Sequence, residues 1–440
     1  MGRRRPSKFL SDLEKSSKYS LRSNAKVISA DGASLRISWL AMKNRAEVAI
    51  AKDTDIKHRT VEALKLIGGI DKVIGRGDKV FLKPNLVDGA PFETGEVVQL
   101  ETMEALVQEA FRAGATEVTI GEVPTWRRKT KTVEEYERLA ERLGAKFLEL
   151  NNHPFEEVEV ENPVLFSKVR LSKPFLDSDV FISVPTLKTH AGCGITVAIK
   201  NMYGLISRED RMLYHMLGKV EEAILDLYQA RKADLIVADG TYTTIHLGPR
   251  PIEDFKETFK LNLTLAGFDP VAVDSVSARI LGIDPETLRY LKWAEERGLG
   301  TSDMDKIEIL GVPMDEAYFG KAVDTVGFFN ARMNNVKILD YGACTGCIGS
   351  PLQFMRFGGR VLKDKILFVM GPGAAASKVE ENLEGDETVI LCGHCAAPTF
   401  YNELQGEFIP GCPPAPEIFS QKLKELFLKS NKPRDDSKLQ

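Results

Sequence analysis

Short apolar bursts, broken at regular intervals by polar turns, begin at Ala46 and continue almost to the end of the chain. Residues 1–45 lack that rhythm, being polar, charged and aperiodic, and are expected to form a flexible or loosely attached extension. Beyond them "AEVAIA", "KVFLKPNLV", "TEVTIGEV", "SDVFISVPTLKTH" and "ADLIVADG" are short, rich in β-branched residues and closed by polar loops, which predicts strands. "ETMEALVQEAFRAG" has the spacing of an amphipathic helix closed by Gly114. In "LAGFDPVAVDSVSARILGI", Asp269 is placed as an N-cap, Pro270 as the first helical residue and Gly282 as the C-cap. Strands separated by helices predict a larger, mainly parallel, three-layer α/β domain over 46–330. A second α/β pattern occupies 331–429, with "VKILDYG", "KILFVMG" and "TVILCG" as strands and helices expected near 350–360, 375–384 and 416–429. Residues 430–440 are a polar tail.

Composition narrows the class. The chain has 440 residues, 43% of them apolar and 28% charged, the balance of a globular protein with more than one core. A net charge of −4 gives no reason to expect nucleic acid or an anionic membrane as partner. The start "RRRPSKFL" resembles a twin-arginine signal, but "SDLEKSSKYS" follows it with charges where an apolar stretch belongs. No apolar run reaches the length of a membrane span, so a cytoplasmic location is the expectation. In that compartment clustered thiols bind metal or do redox chemistry more often than they form disulfides.

There are six cysteines: Cys193, Cys344, Cys347, Cys392, Cys395 and Cys412. Cys344 and Cys347 follow the first strand of the second domain, Cys395 follows its third, and Cys412 lies in the loop "IPGCPPAP". If that domain is flavodoxin-like, with strand order 2-1-3, strands one and three are neighbours and their carboxyl ends share a crevice. Cys344, Cys347, Cys395 and Cys412 then meet, and four thiolates are the ligand set of a [4Fe–4S] cluster. A zinc site is the alternative for two C-x-x-C pairs, although Cys347 and Cys392 are too far apart for a zinc ribbon. A redox disulfide in "CTGC" leaves Cys395 and Cys412 unexplained. Cys392, inside an apolar strand, is expected to pack in the core, and His394 is placed to tune a cluster through hydrogen bonds to sulfur.

The trio "CTGC", "GHCA" and "PGCPPAP", in that order, resembles the small subunit of nickel–iron hydrogenases, and the related cluster subunit of complex I shares "PGCPP". The resemblance covers roughly 331–425 and implies that Cys344, Cys347, Cys395 and Cys412 bind a proximal cubane cluster. The later domain that carries further clusters in those subunits has no counterpart here, so a hydrogenase large subunit is not implied as partner.

In the larger domain three lysines stand where parallel strands deliver ligand-facing residues, namely Lys83, Lys188 and Lys200. Each comes with a hydrogen-bonding neighbour, Asn85, His190 and Asn201. Such cations at strand ends suit an anionic small molecule or cofactor. Glu122 and Asp239 follow strands into the same crevice, and Gly192, Gly194 and Gly204 allow close backbone approach. Asp274 is expected on the apolar side of its helix, Asp269 as a cap, His246 on an exposed loop, and Cys193 either packed or reactive.

These stretches resemble the domain of unknown function 362: Lys83-Pro84-Asn85, then Lys188-Thr189-His190 through Thr196 to Lys200-Asn201 and Gly204, then Asp269 to Asp274. The resemblance spans roughly 46–300 and names no reaction; many members carry a ferredoxin-type segment, whereas this chain carries the hydrogenase-like one. His190 and Lys200, ten apart around glycines, are also similar to a segment of nickel-pincer lactate racemases, in which the histidine assists proton transfer and the lysine tethers the cofactor. Together these readings lead to the expectation of an iron–sulfur oxidoreductase or electron-transfer protein. His190 would be its proton donor, Lys188 and Lys200 its charge stabilisers, Lys83, Asn85, Asn201 and Glu122 its ligand contacts, and a redox protein its partner. A racemase, isomerase or dehydratase with a structural or Lewis-acid cluster is the alternative, as is a partner-binding or assembly protein.

Overall fold

The computed structural model describes residues 45–430 apart from 125–128, 191, 247–255, 322–323, 345, 350, 352–364, 403 and 405. The runs read as strands form β1 (Ala46–Lys52), β2 (Lys79–Pro84), β3 (Glu117–Glu122), β7 (Val180–Val184) and β10 (Leu235–His246). The structure adds β4 (Lys146–Glu149), β5 (Phe155–Glu159), β6 (Lys168–Ser172), β8 (Lys188–His190), β9 (Gly194–Thr196), β11 (Lys256–Gly267) and β12 (Ile307–Gly311). Eight of them make one sheet in the order β12-β1-β11-β10-β7-β2-β3-β4. Only the pairs that involve β11 run antiparallel, so the sheet is mainly parallel.

Both faces are covered, and the strand period of two shows in the packing. Val48, Ile50, Phe81 and Phe181 enter one core. Their chain neighbours Ala49, Ala51, Val80, Leu82, Val180 and Ile182 enter the other. The helix Leu100–Arg112 packs into the second core, whereas Pro270–Leu281 packs into the first. Asp269 accepts a hydrogen bond from Ala272 N at 2.9 Å, Pro270 opens the helix and Gly282 closes it at φ 89°.

Two features depart from the sequence reading. The strand expected to end at Gly240 runs on to His246 and pairs with β11, whose "KETFKLNLTLAG" had not been read as a strand. The second sheet, β13 (Val336–Asp340), β14 (Ile366–Met370), β15 (Thr388–Cys392) and β16 (Glu407–Ile409), is wholly parallel in the order β13-β14-β15-β16. The expected flavodoxin-like order 2-1-3 is therefore corrected: β14 lies between β13 and β15, which are not neighbours. The expected helices near 375–384 and 416–429 are Ala376–Glu380 and Pro416–Ser430. The one near 350–360, the first 44 residues and the tail 431–440 lie outside the described residues. The second sheet has its own cores, one built on Ile338, Phe368 and Phe419, the other on Val369, Leu391 and Leu404.

Candidate functional site

At the carboxyl ends of β2, β3 and β7 the structure buries polar groups that water would otherwise hold. Lys83 ends β2 with no exposed surface. Its three donors are all used, by Pro84 O at 2.7 Å, Glu122 Oε2 at 2.8 Å and Asn201 Oδ1 at 3.1 Å. Asn201 in turn donates to Lys83 O at 2.9 Å and Ser183 Oγ at 3.0 Å, and Glu122 accepts from Val123 N at 2.9 Å. Burial pushes the Lys83 ammonium below its ordinary pKa, against the pull of Glu122. Gly204 seals this cluster, since a Cβ there would lie 2.4 Å from Glu122 Oε1 and 2.5 Å from Lys83 Nζ. Lys83, Asn201 and Glu122, expected as ligand contacts, thus hold one another.

Lys188, at the start of β8, is equally buried. It donates to Asn85 Oδ1 and, at 2.9 Å, to Glu96 O. Thr186 Oγ1 donates to the same Asn85 oxygen at 3.1 Å. Burial pushes the Lys188 ammonium down to about 7, with Lys200 and Lys83 adding repulsion. A neutral amine has two N–H donors, and both are matched by the two acceptors.

Lys200 differs. It stands on the short helix Ala198–Asn201 rather than at a strand end, and it is half-buried. Its ammonium lies 5.7 Å from the centroid of the Tyr203 ring and, among the described residues, has no hydrogen-bond acceptor. Burial, Arg211 and Lys83 all lower its pKa, while Cys193 raises it. Thr196 Oγ1, buried and four residues back, also lacks a partner among the described residues. His190 is half-buried at the tip of the β8–β9 hairpin, opposite Gly194, and its Nδ1 accepts from Gly192 N at 3.0 Å. Cys193 is fully buried, which pushes its thiol up to about 12 and makes it a packing residue, not a nucleophile.

The remaining acids are structural. Asp239 accepts from Gln99 N at 2.7 Å and Thr102 Oγ1 at 3.1 Å at the start of the helix Leu100–Arg112, and lies 3.6 Å from the buried Arg59. Asp274 caps the helix that carries Lys200, accepting from Ala198 N at 2.6 Å and Ile199 N at 3.3 Å, and from Tyr290 OH at 3.1 Å. Burial pushes its carboxyl up to about 7. His246, expected on an exposed loop, is buried and stacks on Phe328 at 3.7 Å between centroids.

At the carboxyl edge of the second sheet three cysteine-bearing turns converge. Cys344 and Cys347 follow β13, Cys395 follows β15 and Cys412 follows β16. His394 N donates to Gly411 O at 3.0 Å, which ties the residue before Cys395 to the residue before Cys412. A Cβ on Gly393, whose φ is +84°, would lie 2.8 Å from Cys347 Sγ, and one on Gly346 would lie 3.0 Å from Pro413 Cγ. The turns therefore meet closely, and Gly393, with its positive φ and no room for a Cβ, is a position that requires glycine. Cys347 is buried and hydrogen-bonds to the half-buried Cys344, holding the Cys344 thiol well below its ordinary pKa. Cys395 and Cys412 are exposed, and Cys392 lies in the core. β14 stops at Met370, and just beyond it a Cβ on Gly371 would lie 2.5 Å from Tyr341 O, so the turn after β14 packs closely on the turn that leads to Cys344.

This edge faces the larger sheet's helices. Arg289 Nη1 lies 3.8 Å from Cys412 Sγ and 3.5 Å from Cys412 O, while Nε and Nη2 grip Glu221 Oε2 at 2.9 and 2.6 Å. The Cys193 thiol is under the influence of both Lys200 and this Arg289–Glu221 pair. The sequence reading missed Arg289 and Glu221. The available signal was Glu221-Glu222 at the head of the otherwise apolar helix Val220–Ala230.

Residues 80–279 match the model of the domain of unknown function 362 (DUF362). The matched segment holds every residue of the lysine network and ends before Arg289 and the cysteine edge. The thylakoid-associated protein sll1697 of Synechocystis sp. (strain ATCC 27184 / PCC 6803 / Kazusa) is 28% identical over 243 residues, covering 54% of this chain and 73% of that protein. Among solved structures, the lactate racemase apoprotein from Thermoanaerobacterium thermosaccharolyticum aligns with a TM-score of 0.36 and 11% identity, covering 88% of this chain and 92% of that one. No helix among the described residues is long and apolar enough to cross a membrane.

Proposed function

We propose that this chain is an iron–sulfur oxidoreductase or electron-transfer protein, with Cys344, Cys347, Cys395 and Cys412 as ligands of one [4Fe–4S] cluster. The observation that carries the reading is the meeting of three cysteine turns at one sheet edge, with glycine wherever a Cβ would intrude. The proposed donor set is four thiols. In a cubane each thiolate holds a different iron, so the sulfurs need not crowd around one point. Among the described residues, the only close-packed group that could hold a single ion is the surface trio Glu384, Asp386 and Glu387. Such a cluster accepts and returns single electrons. A cytoplasmic setting belongs to the proposal, since the four thiols must stay reduced to act as ligands.

The second half of the proposal concerns the crevice. Among the described residues Lys200 and Thr196 have hydrogen-bonding capacity to spare, and His190 stands at the hairpin tip beside them in the chain. We assign an anionic small molecule or cofactor to this group, with Lys200 neutralising its charge and His190 donating a proton. Lys83, Glu122, Asn201, Asn85 and Lys188 form the layer beneath and hold the floor rigid. A redox protein would reach the cluster through the exposed Cys395 and Cys412 edge.

One observation favours a non-redox enzyme instead. A lysine held at about 7 exists as amine and ammonium in comparable amounts at neutral pH, as proton-transfer chemistry requires. The deciding experiment is iron and sulfide analysis of anaerobically purified protein, with absorption and EPR spectra before and after dithionite. About four irons and four sulfides per chain and a reducible signal, both lost in Cys412→Ser, support electron transfer. A loaded cluster that no reductant alters supports the non-redox reading, and zinc or no metal sinks both.

A further inference from the structure

We infer that Arg289 is a positioning residue for the cluster, one that donates to the Cys412 ligand and raises the cluster's reduction potential. The inference rests on the cluster reading above and adds to it a residue from outside both the cysteine turns and the DUF362 match.

The geometry is specific. An arginine guanidinium has two edges, and here the Nε/Nη2 edge is committed to Glu221 at 2.9 and 2.6 Å. That leaves Nη1 to face the cysteine turn, 3.8 Å from Cys412 Sγ and 3.5 Å from its carbonyl oxygen. The guanidinium is further held over Trp293, 4.5 Å from the ring, with Glu222 at 4.0 Å. Its side chain is 15% exposed and that of Glu221 is 2% exposed, so water screens the ion pair little, while the contact with Cys412 lies at the exposed end of the guanidinium. The turn is seated on the larger sheet's side of the molecule as well, since a Cβ on Gly218 would lie 3.3 Å from Ala415 and 3.4 Å from Pro416.

Reduction adds one negative charge to the cluster and spreads it onto the ligand sulfurs. A donor and a positive charge beside one of those sulfurs favour the reduced form, which raises the potential. Glu221 offsets part of the charge, but it sits on the far edge of the guanidinium. The side facing sulfur stays positive.

The test uses the full chain, purified without oxygen, and an EPR-monitored redox titration of wild type, Arg289→Gln, Arg289→Lys and the double variant Arg289→Gln/Glu221→Gln. The double variant matters because Arg289→Gln alone leaves the buried Glu221 carboxyl without the arginine. We expect cluster-loaded Arg289→Gln and the double variant to shift the oxidised-to-reduced ratio at fixed potential about tenfold toward oxidised, a midpoint lower by about 59 mV for one electron. Arg289→Lys should fall between them and wild type, keeping the charge but losing the fork. If Arg289→Gln loses its cluster, the double variant decides alone. A midpoint unchanged within about twofold in that ratio, with iron and sulfide at wild-type levels, overturns the inference and leaves the cluster standing. Wild-type protein without iron and sulfide overturns the cluster reading itself.

Discussion

Lys188 offers a test of the buried network that needs no knowledge of the ligand. Its ammonium titrates at about 7 in the folded chain, against 10.5 for an ordinary lysine, because it has no exposed surface. Between those values the unfolded chain carries a proton that the folded chain does not, so stability rises with pH across the window. The slope is about 1.4 kcal/mol per pH unit, and the full span of three and a half units corresponds to about 5 kcal/mol. Lys188→Met keeps the length and removes the proton. It also strips a donor from Glu96 O and from Asn85 Oδ1, the latter still bonded to Thr186, at a cost of about 1–3 kcal/mol. Near pH 10 the variant should therefore be the less stable chain by that amount, and near pH 7 the two should be equal or reversed. Urea unfolding of both proteins at pH 7, 8, 9 and 10 reads the difference, and titrations of groups away from the lysine network cancel. Parallel curves over that range would refute the argument, showing that the folded protein keeps Lys188 protonated.

Other consequences are equally direct. Glu122→Ala leaves Lys83 buried without its counter-charge and should cost about 3–5 kcal/mol in urea unfolding; Lys83→Met/Glu122→Gln should recover much of it, and additive single-variant costs would contradict the pairing. Gly204→Ala forces a methyl group against Lys83 and Glu122 and should destabilise by about 1–3 kcal/mol, with a matching drop in Tm. Lys200→Met should weaken binding of inorganic phosphate or acetate about tenfold by calorimetry without lowering Tm, since Lys200 has no hydrogen bond to lose among the described residues; unaltered binding would remove Lys200 from the site. Cys392→Ala should keep wild-type iron and sulfide while Cys395→Ser loses them, because Cys392 points into the core and Cys395 is exposed at the edge.

Much of the framework could be read before any coordinates. Strand bursts, the Asp269-Pro270 helix start and the Gly282 stop are local signals, and local signals survive folding. The missed strand β11 is the informative failure. Its alternation of Lys, Thr and Asn with Phe and Leu is a half-buried pattern, weaker than the continuous apolar runs of β2 or β7, and it pairs antiparallel with its neighbours. Strand order failed for another reason. Three apolar strands fit 2-1-3 and 1-2-3 equally well, because the register of a parallel sheet is set by crossover geometry that no single residue encodes. Pairings such as Lys83 with Glu122 or Arg289 with Cys412 join residues far apart in the chain. Each partner can be noticed alone, but the bond cannot.

The pairing changes what the lysines mean. Three cations at one crevice read in sequence as three hands for one anion. In the folded chain Lys83 has spent every donor on the protein, and Lys188 has spent what a neutral amine possesses. Burying them costs free energy that two methionines would not, and with their donors taken up by the protein they shape the surroundings of Lys200 rather than contact a ligand directly. That field acts on Lys200, whose pKa falls partly because Lys83 stands near it. Asp274 holds the helix under Lys200 from the opposite side. A cation kept short of hydrogen bonds, lowered by its neighbours and carried on a capped helix gains more from an arriving anion than a solvated lysine would. Of the three lysines, Lys200 alone lacks a hydrogen-bond acceptor among the described residues, and it is the one that the proposed ligand would complete.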